Sequence, residues 1–375
     1  MKDGIRPRKK LTVIMSCLED ILYFRKPGYA VEVPDPTGSI RYLLDTMDGT
    51  KSIQQLHQAV QVKHPDVTRE ALVTALTLFD QSGFLEDGAA SPDGLLNTYE
   101  LERWDRNLSF LEAFSNTDVS KYELQSRIKT AKVALLGMGG VGSHLLYDLA
   151  AMGVQDIRAV EFDRVELSNL NRQILYNEND IGRLKAEAAQ ERIRAFSPQM
   201  KFEAISVRLS STEDVLNAIS DRDYVLCVAD QPRTEIVHWV NEACVRRGAT
   251  LIVGGHDMER IVYYTIIPGS TGCIACWLRQ VQQRDPLSAA LIDERRRSQV
   301  FLDNGTFAPP ISVLSGLMLC ELTRVITGVE PPVASGRLME FRFKAAAMGE
   351  AERWDRLADC PVCQHVKPSA TQPSR

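Results

Sequence analysis

The 375-residue sequence contains no signal peptide and no run of about 20 apolar residues, so we expect no membrane-spanning segment and predict a cytoplasmic location. It has no excess of positive charge, because the formal net charge is −5, and this argues against a nucleic-acid partner. Its eight cysteines include two CxxC pairs, a pattern unlike a disulfide framework. A content of 44% hydrophobic and 25% charged residues is typical of a globular protein, and the length allows more than one domain.

The stretch from Lys132 to Arg172 predicts a nucleotide-binding unit. An apolar strand pattern runs into a glycine-rich turn, a helical pattern follows, and a second strand ends on Glu161 and Asp163. Glycines let a backbone approach phosphates, the N-terminus of the helix attracts them, and the acidic residues can bind ribose hydroxyls. The glycines predicted to form the nucleotide site are Gly137, Gly139, Gly140 and Gly142.

Strand and helix patterns alternate through the main domain, which is predicted at residues 131–375. This alternation predicts an α/β, Rossmann-like fold with a mostly parallel sheet that is covered on both faces. Beyond Gly254 the pattern changes. Residues 261–267 indicate an antiparallel edge strand, and the charged segment 279–304 indicates a loop-like crossover.

The first 88 residues indicate a small separate domain. Short strand patterns followed by three helical patterns predict a winged helix-turn-helix-like unit. Such units often bind DNA, but these helices carry no cluster of lysine and arginine. A dimerisation or packing domain is the alternative. Residues 89–130 are predicted to be a linker and a helix that carries Arg106.

Polar and basic residues follow the acidic end of the second strand. Asn169, Arg172 and Gln173 lie in the next loop, and Arg172 is predicted to lie near phosphates because ligands bind outside the carboxyl ends of parallel strands. Lys185 begins the following helix, where a cation is unfavourable against the helix dipole, so we expect an anion beside it. An exposed surface lysine is the alternative.

Asp230 ends the fourth predicted strand of the main domain. A carboxylate beside a nucleotide commonly holds Mg²⁺, which neutralises the charge of the phosphates. A cap for the helix predicted at residues 234–247 is the alternative role for this side chain.

Two cysteine pairs, Cys273 with Cys276 and Cys360 with Cys363, predict a structural zinc site with four thiolate ligands. The long gap between the pairs means that the ion would join the C-terminal segment to the main domain. A redox pair of the thioredoxin type is disfavoured, because neither CxxC begins a helix in a βαβ pattern. The remaining cysteines, predicted to be buried core thiols, are Cys17, Cys227, Cys244 and Cys320.

Together these motifs resemble the MoeB/ThiF/HesA superfamily of ATP-dependent adenylating enzymes, which are relatives of the ubiquitin activators. The motifs that carry the resemblance, over residues 100–365, are RxxR (Arg103 and Arg106), GxGGxG, SNLNRQ (168–173), GRxK (182–185), ADQP (229–232) and the paired CxxC. Within the superfamily the sequence most closely resembles the MccB- and PaaA-type peptide-modifying enzymes. The stretches with that likeness are 105–111, 228–246, 268–277 and 306–309.

The first 88 residues resemble the PqqD-like leader-recognition element of such enzymes, through LDTMDGTKSIQQLHQAV and VTREALVTALTLFDQSGFLED. This resemblance implies that an extended leader peptide adds a strand to the edge of the sheet and packs beside the last helix.

The resemblance to the superfamily also implies a homodimer in which Arg106 reaches into the site of the partner. The further residue roles that it implies are phosphate binding for Arg172 and Lys185, Mg²⁺ binding for Asp230, the ribose side for Glu161 and Asp163, and zinc binding for Cys273, Cys276, Cys360 and Cys363. Glu161 departs from the usual aspartate of the family by one methylene.

The implied function is ATP-dependent adenylation of a carboxyl or carboxamide group in a ribosomally made precursor peptide. No cysteine lies between Trp277 and Ala308, so the thiol on which ubiquitin activators form a thioester is missing. One alternative is adenylation of the C-terminus of a ubiquitin-like sulfur carrier, and another is a non-catalytic scaffold that binds leader peptides. A nicotinamide-dependent dehydrogenase shares only the glycine turn.

Overall fold

The chain divides after Arg127 into two units, residues 1–127 and 128–375. The computed structural model describes residues 4–26, 29–257, 259–298 and 305–367. Each unit has its own hydrophobic core, centred on Phe24, Leu56 and Leu76 in the first and on the buried strands of a large sheet in the second.

The first unit begins with an antiparallel sheet in the order β2-β3-β4, followed by three helices. Its side chains alternate in β3, so that Leu22 and Phe24 pack inward. Ser52 and Thr68 cap the second and third helices through hydrogen bonds to backbone N–H groups, as their positions in the sequence predict. The elements are β1 (Pro7–Lys9), β2 (Ile14–Leu18), β3 (Ile21–Lys26), β4 (Tyr29–Pro34), α1 (Ser39–Thr46), α2 (Ile53–Gln61), α3 (Arg69–Gln81) and β5 (Leu85–Asp87), which pairs with β1.

Residues 89–130, predicted to be a linker and one helix, contain three helices. They are α4 (Thr98–Arg103), α5 (Asp105–Glu112) and α6 (Lys121–Thr130), and α6 crosses the boundary between the units. Trp104 separates α4 from α5 and is 2% exposed, which fixes the position of the helix that carries Arg106.

The second unit is built on a sheet in the order β13-β12-β11-β10-β9-β6-β7-β8, which is parallel from β10 to β8. Its strands are β6 (Lys132–Leu136), β7 (Asp156–Val160), β8 (Lys201–Ile205), β9 (Tyr224–Cys227), β10 (Thr250–His256), β11 (Arg260–Ile266), β12 (Arg337–Arg342) and β13 (Ala347–Arg353). Its helices are α7 (Gly140–Met152), α8 (Lys185–Phe196), α9 (Thr212–Ala218), α10 (Ile236–Arg247), α11 (Ile274–Arg284), α12 (Pro286–Ser298) and α13 (Ala308–Thr327). The predicted α/β fold with a mostly parallel sheet is confirmed.

Parallel strands direct their carboxyl ends to one edge of the sheet, and four of these ends carry the residues of the site. The apolar run Val133–Leu136 is entirely buried, because β6 lies between two neighbours and is covered on both faces. The glycine turn, Glu161, Asp230 and His256 therefore come together from β6, β7, β9 and β10.

Two predictions about the last third of the chain are wrong. The strand predicted at 261–267 is antiparallel but lies inside the sheet, because β12 pairs with it and β13 forms the edge. β13 is mostly exposed and lacks the apolar alternation by which a strand is identified. The charged segment predicted to be a loop contains α11 and α12 up to Ser298, and residues 299–304 lie outside the described part.

The prediction for the four cysteines outside the CxxC motifs is partly wrong. Cys227 and Cys244 are buried as predicted, whereas Cys17 and Cys320 are exposed. Cys17 lies on the mostly exposed strand β2, and Cys320 lies on the outer side of α13, so apolar neighbours in sequence did not imply burial.

One helix of the described chain, α13, is long and apolar enough to cross a membrane by length and composition, although the sequence reading identified no such span. Half of its most apolar window is buried within the structure, where it packs against α7, β10 and β11. Glu321 in this helix is fully buried and accepts hydrogen bonds from the backbone N–H groups of Val333 and Ala334. These contacts give α13 the role of a core helix.

Candidate active site

The glycine turn between β6 and α7 is a tight main-chain structure. Gly137 has φ +98° and donates its N–H to the carbonyl of Val160 at 2.9 Å. A Cβ on Gly142 would lie 2.0 Å from the carbonyl oxygen of Gly137, so only glycine fits there. Gly139 precedes α7 without any side-chain cap, so the first N–H groups of this helix point to a site that an anion can occupy.

Gly142→Ala is expected to open this turn, lower the free energy of unfolding by about 1–3 kcal/mol and abolish ATP binding. The reason is that a backbone carbonyl, which cannot rotate away as a side chain would, occupies the space of the added methyl. Thermal unfolding and calorimetric titration with ATP measure the two effects. Gly349→Ala is the control, because nothing lies within 4 Å of its Cβ position. Unchanged ATP affinity in the Gly142 variant would mean that the nucleotide does not use this turn.

Glu161 holds the glycine turn against the end of β7. Its Oε2 accepts the N–H of Met138 at 2.9 Å, and its Oε1 accepts the N–H of Asp163 at 3.0 Å. Lys185 Nζ lies 3.1 Å from Asp163 Oδ2 and is 4% exposed, so the alternative of an exposed surface lysine is wrong. A buried ammonium with one half-exposed carboxylate partner can attract a further anion.

The loop after these acidic residues supplies a guanidinium and an amide. Arg172 Nη1 donates to the carbonyl of Ser168 at 3.1 Å and to Oδ1 of Asn171 at 2.7 Å. Gln173 is 3% exposed, yet its Oε1 has no hydrogen-bond partner in the described chain. A buried acceptor without a partner is unfavourable, and a bound nucleotide would satisfy it. This orphaned oxygen and the uncapped helix end fit the predicted ATP site.

A cavity of about 1940 Å³ lies at the carboxyl edge of the sheet. The predicted residues that line it are Gly137, Gly139, Gly140, Glu161, Asp163, Asn169, Arg172, Gln173, Lys185 and Asp230. Gly142 lies behind the turn. Pockets for one small ligand usually measure about 300–1,000 Å³, so this cavity has room for a nucleotide and a second substrate.

Asp230 does not cap the following helix, since Glu235 precedes α10 without a side-chain cap.

The part of the cavity formed by β10, β11 and β12 was not predicted from the sequence. His256, Asp257 and Arg342 line it together with residues of α11 and α12. Burial lowers the pKa of His256, which also responds to the charges of Arg172 and Asp230. His256 lines the same cavity as Arg172 and Asp230, the residues predicted to bind phosphate and Mg²⁺. No local motif marks these residues, because antiparallel pairing brings them to the site.

The four paired cysteines form one cluster. Their sulfur atoms all lie within 4.8 Å of one another, and three of the pairs are 3.5, 3.6 and 3.9 Å apart. Four sulfurs around a zinc ion at 2.3 Å would be about 3.8 Å apart, so the donor set fits tetrahedral zinc. The Cys273 thiol donates to Cys276 and holds the pKa of Cys276 well below its usual value, which favours the thiolate. Cys273 does precede a helix, α11, but β11 and β12 are antiparallel and no βαβ unit is present there.

Arg106 belongs to the first unit and lies near the start of α5. Its side chain is 94% exposed, and its ion pair is with the neighbouring Asp105, at 3.6 Å. Such an exposed pair contributes little to stability. The guanidinium is therefore accessible to a second copy of the chain.

The chain is similar to known proteins over most of its length. The family model described as the ThiF family matches residues 105–362. The sulfur carrier protein adenylyltransferase of Thermus thermophilus is 32% identical over 246 residues, which cover 64% of this chain and 85% of that protein.

Solved structures extend the similarity to nearly the whole chain. Escherichia coli MccB with ATP superposes with a TM-score of 0.74 at 21% identity and covers 96% of this chain and 99% of its own. MccB has also been solved with N-formylated MccA. PaaA superposes with a TM-score of 0.67 at 22% identity and covers 93% of this chain and 100% of its own. At this level of identity the likeness shows a common fold.

Proposed function

The chain belongs to the ThiF family and is an ATP-dependent adenylyltransferase, and we propose that it adenylates a ribosomally made precursor peptide in the biosynthesis of a modified peptide product. The observation that carries this proposal is the extent of the similarity. The sequence alignment with the sulfur-carrier relative spans 64% of this chain, and the structural superpositions with MccB and PaaA, which share the fold, span 93–96% of it, including the first unit.

The first unit supports the proposal because, in the described part of the chain, no further strand pairs with either edge of its three-stranded sheet. β2 and β4 are the outer strands of its three-stranded sheet, and a leader peptide in extended form can add to such an edge through main-chain hydrogen bonds. Ile14 and Leu18 on β2 are 67% and 65% exposed, which provides apolar contacts for peptide side chains. In this proposal residues 1–88 bind the leader, residues 89–130 present Arg106, and residues 131–375 carry the adenylation site.

The proposed reaction is an in-line attack by a carboxyl or carboxamide oxygen of the peptide on the α-phosphorus of ATP, with pyrophosphate as the leaving group. Catalysis then consists of positioning and charge stabilisation. The proposed roles are phosphate binding by Arg172 and Lys185, ribose-side contacts by Glu161 and Asp163, Mg²⁺ binding by Asp230, and contact with the phosphates by Arg106 from a second copy of the chain. Mg²⁺, when bound, neutralises phosphate charge.

Peptide-dependent ATP–pyrophosphate exchange, read together with product mass, tests this function. With a cognate precursor we expect exchange that depends on the leader, and the product mass reports whether AMP is retained or water is lost. Exchange with a Gly-Gly-ended carrier protein and with none of the peptides would favour the alternative that the Thermus relative suggests. Leader binding without exchange on any substrate would favour a non-catalytic scaffold.

A further inference from the structure

We propose that His144 is a positioning residue that holds the backbone of Arg172 to helix α13. The inference rests on the phosphate role proposed for Arg172. His144 lies on α7, one turn beyond the glycine turn, and is 9% exposed. Its ring lies between the loop that carries Arg172 and the first turns of α13.

The two hydrogen bonds of the imidazole define its role. His144 Nε2 lies 3.2 Å from the carbonyl oxygen of Arg172, and His144 Nδ1 lies 3.3 Å from Ser312 Oγ. A carbonyl can only accept, so Nε2 carries the proton and donates it. In the neutral ring Nδ1 is then an acceptor, and the single hydroxyl proton of Ser312 is shared between Nδ1 and the carbonyl oxygen of Ala308, which lies 3.2 Å from Ser312 Oγ. One ring therefore links the loop to α13 through both nitrogens.

The guanidinium of Arg172 is connected to the same helix start by a second route. Its Nη1 donates to Asn171 Oδ1 at 2.7 Å, and Asn171 Nδ2 donates to the carbonyl of Thr306 at 3.0 Å, two residues before α13. A Cβ on Gly140 would lie 3.4 Å from Cγ and Cδ of Arg172, so the side chain runs along the beginning of α7. The backbone and the guanidinium thus have separate supports, and both end at the start of α13.

Loss of the imidazole leaves the Arg172 carbonyl without its donor and removes one of the two links between the loop and the start of α13. Stabilisation of developing phosphate charge requires the guanidinium at a fixed position, and a misplacement of about 1 Å can cost roughly 100-fold in rate. The effect should fall on turnover, since the residues that contact the peptide are unchanged.

The test measures kcat and KM for peptide-dependent ATP–pyrophosphate exchange in the full-length protein. For His144→Ala we expect kcat to fall roughly 10- to 100-fold, with the KM for the peptide unchanged. His144→Gln, whose amide nitrogen can still donate to Arg172, should keep most of the activity. If the alanine variant fails to fold, Ser312→Ala removes the same link from the α13 side and should also lower kcat. Wild-type kcat in a folded His144→Ala variant overturns the proposal.

A matched control separates positioning from helix packing. Asp148 and Ser315 join the same two helices, with Asp148 Oδ2 3.3 Å from Ser315 Oγ, and have no bond to the Arg172 loop. Ser315→Ala should therefore keep wild-type exchange, and an equal loss in this variant would reduce His144 to a packing residue.

A double-mutant cycle tests the coupling to Arg172. Adding His144→Ala to Arg172→Ala should cause no further loss, because the positioned group is already gone. If the loss in the double variant equals the product of the two single-variant losses, the positioning role is overturned. If Arg172→Ala alone keeps wild-type exchange, the proposed function of Arg172 fails, and the role of His144 fails with it. An inactive Arg172 variant beside a fully active His144 variant overturns the further inference alone.

Discussion

Arg106→Ala is expected to lower ATP–pyrophosphate exchange by about 10³- to 10⁵-fold while leader binding survives, the range known for arginine residues that reach into phosphoryl-transfer sites. The side chain is 94% exposed, so its removal should not destabilise the fold. A large loss of rate in a normally folded variant would then reflect missing charge stabilisation at the phosphates. Exchange assays and peptide titrations measure the two quantities separately.

Mixed dimers test whether Arg106 acts in the site of a second copy. Arg106→Ala and Asp230→Asn variants should each be inactive alone. If the chain forms the proposed homodimer and Arg106 acts across its interface, each mixed dimer contains one site with both native residues, and random mixing should restore about a quarter of wild-type activity. If Arg106 acts within its own chain, mixing restores nothing.

Arg41→Ala provides the control for this experiment. Arg41 is also an exposed arginine of the first unit with an acidic neighbour, Asp45, at 3.9 Å. At saturating peptide, where leader binding no longer limits the rate, loss of charge alone should leave exchange unchanged in this variant. Full activity of Arg106→Ala, with Arg41→Ala as active as the wild type, would remove Arg106 from the proposed mechanism.

Cys360→Ser is expected to release bound zinc and to lower the thermal unfolding midpoint by at least about 10 °C. Structural zinc contributes roughly 10–16 kcal/mol in small zinc domains, so even part of this loss exceeds the usual effect of a point substitution. The four cysteines are 0–1% exposed and come from chain segments 87 residues apart, so the ion would fasten the C-terminal segment beside α11.

Zinc content by elemental analysis and thermal unfolding with and without a chelator check this prediction. Cys320→Ser is the control, because Cys320 is exposed on α13 and lies outside the cluster. It should keep both the metal and the unfolding midpoint. If the wild-type protein purifies without zinc, and Cys273 and Cys276 cycle between thiol and disulfide, the zinc prediction is wrong and these two cysteines form a redox pair.

The local patterns of the sequence were sufficient to predict the strand, glycine turn and helix of the candidate nucleotide-binding unit. The glycine turn, the buried strand Val133–Leu136 and the acidic residues after β7 are encoded within about forty consecutive residues, and each has a distinct periodicity or backbone requirement. The caps at Ser52 and Thr68 were readable for the same reason. The alternation of strands and helices then determined the parallel sheet, because few topologies accommodate it.

Tertiary structure decided what depends on contacts between distant segments. The bond of His144 to Ser312 spans 168 residues, and that of Asn171 to Thr306 spans 135. Contacts between distant segments also decided that β13 is an exposed edge strand and that Cys320 faces outward. Burial and pairing at such positions depend on which elements pack together, and neither periodicity nor a local motif predicts this. The sequence alone therefore determined the glycine turn and the strand–helix–strand unit around it, whereas packing alone decided how Arg172 is held.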